Sequence, residues 1–191
     1  MIRAGFILLS VALTAQGADA SGLSLKVEPG VAGSLTQQQS QRFDLGGGVP
    51  LKLLYGLTPA LDVAASASFL VLPSSRGSPS SGTGEAWAWG AGARLKRPHA
   101  EETLYGMSPW VDADLLYVRT GDLNRFGFAA GAGVAFPFGA ARSLWIGPFV
   151  RYQQILGLGG TGPVDSRDAK ILFAGMSFEF GPCHTKNGSA Q

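Results

Sequence analysis

Hydrophobic and polar residues alternate with a period of two along most of this chain, most clearly between Lys170 and Phe180. In that stretch one face carries only apolar residues and ends in Phe178 and Phe180, while the other becomes more polar towards Glu179. Such alternation is typical of a β-strand with two unlike faces. Seven similar stretches of roughly ten residues precede it, separated by turn-forming residues. The pattern predicts an all-β chain of eight strands.

The distribution of aromatic residues decides between a soluble barrel and one that spans a membrane. Aromatics fall near both ends of the predicted strands, and the outward positions between them are mostly valine, leucine and alanine. Two aromatic girdles around an aliphatic band are expected where rings sit at both membrane interfaces. A soluble barrel would bury its aromatics instead, so we expect an eight-stranded antiparallel up-and-down transmembrane β-barrel. The outer girdle is predicted to contain Phe43, Phe69, Trp87, Trp89, Tyr117, Phe126, Phe128 and Tyr152, and the inner one Tyr55, Tyr105, Phe136, Phe138, Phe178 and Phe180.

The first twenty residues have the features of an export signal. Arg3 gives a positive start, a short apolar run follows, and Ala18-Asp19-Ala20 is a small-residue cleavage site. We predict cleavage between Ala20 and Ser21. No later stretch has the roughly twenty apolar residues that a transmembrane helix requires. The predicted organisation is a signal peptide over 1–20, a barrel over 21–180 and a polar tail over 181–191.

Charge and cysteine content exclude several classes of function. The formal net charge of +2 over 191 residues gives no strong preference for nucleic acid. Cys183 is the only cysteine, so an intramolecular disulfide is impossible. Cys183 and His184 alone cannot complete a closed metal site. His99 and His184 fall in a predicted turn and in the tail, away from the outer half of the membrane, so we expect neither catalysis nor a cofactor.

Charged residues on the inward faces are predicted to form a network in the barrel lumen. An eight-stranded barrel is only wide enough for side chains to fill it or to hold one small ligand. Five positive and six negative residues would nearly neutralise one another, as a salt-bridged plug or as a narrow pore in which ion pairs exchange partners. These residues are Lys26, Glu28, Asp44, Lys52, Asp62, Arg94, Lys96, Asp112, Asp114, Arg151 and Glu179.

Prolines fall within several predicted strands. Because proline cannot donate to the hydrogen-bond ladder, we expect some of them at bulges or strand ends. They are Pro29, Pro50, Pro109, Pro137 and Pro148.

The last strand resembles the β-signal of bacterial outer-membrane proteins through Gly175, Phe178 and Phe180, with Phe173 where a polar residue is usual. With the eight alternating stretches and the girdles, residues 21–180 resemble the OmpA-type family of small barrels, which includes opacity-like proteins. The resemblance implies export to the outer membrane of a Gram-negative cell. It also implies insertion by the barrel-assembly machinery and contact with outer-membrane lipids.

The function expected from this resemblance is a structural or surface-interaction role in the cell envelope, with no extracellular partner readable from the loops. Fold alone does not choose among the functions of such a family. One alternative is a narrow low-conductance pore with a charged lumen. The second is an outer-membrane lipid-modifying enzyme, which the placement of the histidines disfavours.

Phe180 is predicted to be required for assembly. Its ring is favoured at the inner membrane interface, and it ends the segment that resembles the assembly signal. Phe180→Ala should therefore lower the amount of protein in the outer membrane without blocking export, as measured by quantitative blotting. Deletion of residues 182–191 is the control and should have little effect. Normal assembly of Phe180→Ala together with failure of the deletion variant would refute the prediction.

Overall fold

The computed structural model describes residues 22–35, 43–74, 83–97, 106–139, 143–157 and 168–181. The predicted signal peptide, the tail after Gly181, Tyr105, both histidines and Cys183 lie outside these residues. No helix in the described part of the chain is long and apolar enough to cross a bilayer. The strands are β1 (Leu23–Val27), β2 (Gly30–Ser34), β3 (Gly46–Gly56), β4 (Leu61–Leu72), β5 (Gly84–Lys96), β6 (Ser108–Thr120), β7 (Leu123–Phe138), β8 (Leu144–Ile155) and β9 (Ala169–Phe180).

All neighbouring strands pair antiparallel in one closed sheet. From β3 to β9 each strand pairs with the next one along the chain, and β9 returns to pair with both β1 and β2. Because β1 and β2 also share β3 as their other neighbour, they are two halves of one barrel strand. The predicted eight-stranded antiparallel barrel is therefore confirmed, with the last strand closing it against the first.

Pro29 separates β1 from β2 without shifting the register. Val27 pairs with Leu51, and Gly30 pairs with Gly48, which is the partner that an uninterrupted ladder would give. Backbone hydrogen bonds also flank the break, since Glu28 N–H donates to the carbonyl of Pro50. The proline thus removes one donor from the ladder and leaves the alternation of faces intact.

Two other prolines lie inside strands, away from bulges and strand ends. Pro50 in β3 pairs with Ser68 of β4, and Pro148 in β8 pairs with Met176 of β9, both in unbroken register. Backbone pairing is lost on only one side of Pro148, where the β7–β8 ladder is interrupted between Gly133 and Phe136. A long ladder tolerates such a gap because the paired residues on either side hold the register.

The two ends of the barrel differ in their connections. Both ends of the described chain lie at one end, where the amide of Gly56 donates to the carbonyl of Gly22; we call it the terminal end. The opposite end, the loop end, carries the connections over 35–45, 73–83 and 156–168. The connection between β6 and β7 is a two-residue turn. Thr120 pairs with Leu123, and Gly121 turns the chain in the left-handed region at φ 58°.

The barrel has an apolar outside, as the alternation predicted. Many large hydrophobic side chains are exposed there, including Leu115 at 76% and Val111 at 52%. At the loop end the girdle aromatics contact one another, with ring centroids of Phe69 and Trp87 4.3 Å apart. Phe43 is a correction, because its ring packs against the interior core instead of standing in the outer girdle. The exposed aromatics are Trp87, Trp89, Tyr117, Phe126 and Phe128 near the loop end and Phe136, Phe138 and Phe180 near the terminal end.

The interior is divided into two layers. Charged residues fill the middle and the terminal end, whereas apolar side chains such as Leu70, Leu116 and Phe173 fill the loop-end half. This apolar half departs from the polar interior predicted from the sequence. In a barrel this narrow, inward side chains touch one another across the lumen, so they can be apolar wherever they pack without water. The apolar layer consists of Ala32, Leu70, Leu72, Ala86, Ala88, Leu116, Val118, Ala129, Ile155, Ala169, Ile171 and Phe173.

Candidate functional site: the ion-pair core

Ten of the eleven charged residues predicted in the lumen lie there, in two separate clusters. The larger one, the central cluster, contains three cations and three anions whose side chains are at most 3% exposed. Its members are Lys26, Glu28, Lys52, Asp112, Asp114 and Arg151. They come from β1 and its end, β3, β6 and β8, so the cluster joins four parts of the wall.

Arg151 is the hub of the central cluster. Its Nη2 atom lies 2.8 Å from Glu28 Oε2 and 2.9 Å from Asp112 Oδ2, and its Nη1 atom lies 3.0 Å from Asp114 Oδ2. Lys52 joins the same two aspartates, with Nζ 2.8 Å from Asp112 Oδ2 and 2.5 Å from Asp114 Oδ2. A planar guanidinium with five donors suits a site that must serve three carboxylates at once.

Lys26 completes the central cluster through two different contacts. Its ammonium lies 2.8 Å from Glu28 Oε1 and 3.0 Å from the centroid of the Trp110 ring. The Glu28 contact is an ion pair without the angles of a directed hydrogen bond. A cation over an indole face gains from the ring quadrupole, most of all where water is excluded. The sequence pattern gave no role to Trp110, which belonged to neither predicted girdle.

The smaller group, the end cluster, lies towards the terminal end and contains Asp62, Arg94, Lys96 and Glu179. Arg94 Nη2 lies 2.6 Å from Asp62 Oδ2, and Arg94 Nη1 lies 2.5 Å from Glu179 Oε2. Lys96 reaches Asp62 Oδ1 at 2.8 Å. Ser24, which was not singled out from the sequence, donates to Glu179 Oε1 at 3.1 Å.

Asp44 does not belong to either cluster. Its side chain is exposed, and it precedes β3, where its backbone amide donates to the carbonyl of Pro73. The reason is that the regular ladder of β3 starts only at Gly46, so the alternation extrapolated from the strand does not apply to Asp44. Without it the two clusters, as far as the structure describes the chain, hold five cations and five anions, and each cluster is neutral by itself.

Both clusters connect opposite walls of the barrel. Counting around the closed sheet, β1 and β6 are four strands apart in either direction, as are β5 and β9. The central cluster joins Lys26 and Glu28 to Asp112 and Asp114 across the first of these diameters. In the end cluster Arg94 of β5 meets Glu179 of β9 across the second. The ion pairs therefore hold together parts of the wall that share no backbone ladder.

Glycine provides the space in which the central cluster forms. Gly131 in β7 pairs with Asp112 on one side and with Arg151 on the other, and these two side chains meet across it. A Cβ atom at position 131 would lie 2.8 Å from Asp112 Oδ1 and 2.9 Å from Arg151 Nη2. Gly131 thus makes room for the ion pair between Asp112 and Arg151, and Gly133 makes room for the ring of Trp110 in the same way.

The chemistry of these clusters is mutual neutralisation. Each carboxylate in them lies against a lysine or arginine, and in the described ranges no three His, Cys, Asp or Glu side chains are grouped to hold a metal ion. A buried charge with a partner and hydrogen bonds is tolerated, whereas an isolated one is very costly. The geometry therefore supports a mechanical role for the lumen charges.

The three residues of the predicted assembly signal occupy different environments on β9. Gly175 faces inward beside Phe149, and a Cβ atom there would lie 2.6 Å from the Cα atom of Gly30. Phe178 is half-buried, and Phe180 is exposed at the terminal end. The close approach of Gly30 therefore explains why position 175 is a glycine, independently of any role in assembly.

A second polar arrangement lies outside the lumen at the loop end. Asp168 accepts hydrogen bonds from the backbone amide of Gly157 at 2.9 Å and from the side-chain amide of Gln154 at 2.5 Å. Tyr152 in turn donates to Gln154 at 2.7 Å. The bond from Gly157, followed by that from Gln154, lowers the pKa of Asp168 below its ordinary value of 3.8. Asp168 thereby connects the end of β8 to the start of β9.

Removal of Arg151 should destabilise the barrel strongly. Arg151→Met leaves Glu28, Asp112 and Asp114 without their shared cation, and loss of one partner from a buried ion pair costs roughly 3–5 kcal/mol. Arg151→Lys keeps the charge without the planar fork and should cost less. Urea unfolding of the protein in lipid vesicles measures both effects.

The matched control for Arg151 is Arg119→Met, because Arg119 is exposed and donates a hydrogen bond to the carbonyl of Gly121. Such an exposed substitution should change the unfolding free energy by about 0.5 kcal/mol or less. Equal stability of the Arg151→Met and Arg119→Met variants would show that the central cluster does not hold the walls together.

The bond between Asp168 and Gly157 should be lost at low pH. A carboxyl with a lowered folded-state pKa stabilises the fold above its unfolded pKa, and that stabilisation disappears as the pH falls through the folded value. The amide of Gly157 should therefore shift and exchange faster only below the ordinary aspartate range, as followed by NMR. In Asp168→Asn this titration should be absent. A Gly157 titration that persists in Asp168→Asn would assign it to another group.

Comparison with known proteins gives distant structural likenesses. No protein-family model and no curated protein matches the sequence. The chain is similar to outer membrane protein AlkL, solved by solid-state NMR in DMPC bilayers, at 16% identity and a TM-score of 0.47, over 92% of this chain and 95% of that one. It is similar to OprG from Pseudomonas aeruginosa at 12% identity and a TM-score of 0.46, over 86% and 98%. For the outer membrane enzyme PagL the values are 16% and 0.45, over 84% and 99%. Likenesses this distant carry no argument about function.

Proposed function

We propose that this chain is an integral outer-membrane β-barrel with a filled, non-conducting interior, acting as a structural or surface-interaction component of the cell envelope. The observation that carries this proposal is the inverted distribution of polarity. Large hydrophobic side chains such as Leu115 and Trp87 are exposed on the outside, while Lys26, Glu28 and Arg151 are buried inside. A water-soluble protein of this size has no reason to expose a continuous apolar band, whereas a lipid-facing barrel requires one.

The terminal end is assigned to the periplasm and the loop end to the outside. Short turns face the periplasm and longer loops face outwards in barrels of this kind. The connection over 57–60 at the terminal end is short and closed by Thr58, whose side chain accepts from the amide of Leu61 at 3.0 Å. The longer connections at the loop end would then be the part of the protein that meets surface partners.

The filled lumen argues against the alternative of a narrow pore. A water path would have to cross the apolar layer, where Val118 and Phe173 are 0% exposed, and then the ion pairs of the central cluster. Hydration of that path requires both to rearrange together. The enzyme alternative is the weaker proposal for a different reason: the sequence pattern predicts His99 in a turn and His184 in the tail, away from the outer half of the membrane.

Cell fractionation with gel mobility tests membrane insertion, and planar-bilayer recording tests conduction. We expect the chain in the outer-membrane fraction, with unboiled protein migrating differently from boiled protein. We also expect no unitary conductance steps. Recovery in the soluble periplasm would overturn the membrane assignment, and reproducible conductance steps would favour the pore.

Ala113 offers a direct test of the lipid-facing surface. It is exposed on the outside of β6, between the lumen residues Asp112 and Asp114. Ala113→Arg should cost roughly 2–4 kcal/mol if this position lies near the bilayer midplane. Ala113→Leu, the matched control, should be tolerated because it stays apolar. Both are measured by unfolding from lipid vesicles, and equal stability of the two variants would contradict a lipid-facing position.

A further inference from the structure

An open groove of about 660 Å³ lies on the outside of the barrel near the loop end, between β5 and β6. Its lining includes two tryptophans, an arginine and a glutamate: Trp87, Trp89, Arg119 and Glu85. Trp87 pairs directly with Arg119, and Trp89 pairs with Tyr117 two residues further towards the terminal end. Both indole rings are about half exposed, at 50% and 48%. The groove is thus apolar on the membrane side and charged on the loop side.

The two charges of the groove are not paired with each other. The side chain of Arg119 donates through Nε to the carbonyl of Gly121 at 3.2 Å, and within the described residues it forms no ion pair. Glu85 likewise has no ion pair among those residues. This differs from the lumen, where every charge has an opposite partner. Two unlike, unpaired charges on one wall of a groove complement a ligand that carries both signs.

We propose that this groove binds a phospholipid with a phosphoethanolamine headgroup. The lipid phosphate accepts hydrogen bonds from the Arg119 guanidinium, whose fork matches phosphate oxygens. The ammonium of the headgroup donates to the Glu85 carboxylate. The first part of an acyl chain lies against Trp87 and Trp89, whose rings are favoured at the membrane interface.

This assignment rests on the proposed membrane location, which puts the groove level with the outer lipid headgroups. A volume of this size is within the range of small-molecule sites. Arg119 lies two residues along β6 beyond the row formed by Trp89, Tyr117 and Phe126, in which the rings of Tyr117 and Phe126 are 5.8 Å apart. The charged residues thus lie beyond the aromatic row, just as the charged headgroup of a lipid lies beyond its acyl chains.

The test uses lipids with brominated acyl chains, which quench the fluorescence of tryptophans they touch. Folded protein in dodecyl maltoside micelles is titrated with brominated phosphatidylethanolamine, phosphatidylcholine or phosphatidylglycerol. We expect half-maximal quenching at the lowest concentration for phosphatidylethanolamine, by about tenfold, because only its headgroup offers both a phosphate and N–H donors. Trp110, buried in the lumen, and Trp145, partly buried against the interior core, contribute a background common to the three lipids.

Two variants separate the roles of the charges. Arg119→Gln should weaken binding of phosphatidylethanolamine about tenfold, and Glu85→Gln should abolish its preference over phosphatidylcholine. Arg125→Gln is the control, since Arg125 is near the same end but does not line the groove. Gel mobility confirms that each variant is folded.

Equal quenching by the three lipids, or quenching unaffected by Arg119→Gln, would overturn the headgroup site while leaving the membrane location in place. A preference for phosphatidylethanolamine that survives Glu85→Gln would overturn the assignment of the ammonium to Glu85. Absence of quenching by any lipid would instead count against the lipid-facing surface itself. The failure of the groove proposal is therefore distinguishable from the failure of the proposed function.

Discussion

The structure depends on the balance of charge inside a barrel too narrow to hold bulk water. Eight strands leave only enough room for side chains, so an ionised group in the lumen must find its partner among other lumen residues. The central cluster meets this requirement with three cations and three anions, and the end cluster with two of each. Because neither cluster has a surplus charge, neither requires an ion pair with a residue of the other cluster.

This balance has a geometric counterpart in the wall. Opposite strands of a barrel have no hydrogen bonds in common, and only contacts across the lumen resist their separation. Arg94 with Glu179 and Arg151 with Glu28 and Asp114 supply such contacts. They form because residues such as Gly131 keep the intervening wall free of side chains. The glycine and the charged residues therefore depend on each other, since Arg151 and Asp112 can meet only where the residue between them has no side chain.

The alternation of residue types predicted the fold and ten of the eleven lumen charges, because a strand in register fixes the face of each residue. It failed where the ladder ends. Asp44 and Phe43 precede β3, and their side chains point away from the predicted faces. It also gave no reason to expect Trp110 beneath Lys26, since the partners within the lumen depend on which strands lie opposite each other. The apolar half of the interior near the loop end was missed, because a leucine that points inward looks the same in the sequence as a local break in the alternation of apolar and polar residues.

The groove at Arg119 differs from the lumen in the freedom of its charges. Inside, desolvation makes an unpaired charge prohibitive, and the lumen charges form matched sets drawn from β1 and its end, β3, β4, β5, β6, β8 and β9. Outside and near the loop end, water and lipid headgroups can solvate a charge, and Arg119, whose Nε donates to the carbonyl of Gly121, and Glu85 form no ion pair in the part of the chain that the structure describes. The same strands β5 and β6 thus present Arg94 and Asp112 as fixed structural charges on one face, and Arg119 and Glu85 as available ones on the other. A charge that is already in an ion pair within the protein is not available to bind a ligand. The charges that can bind a ligand are therefore those that do not stabilise the fold.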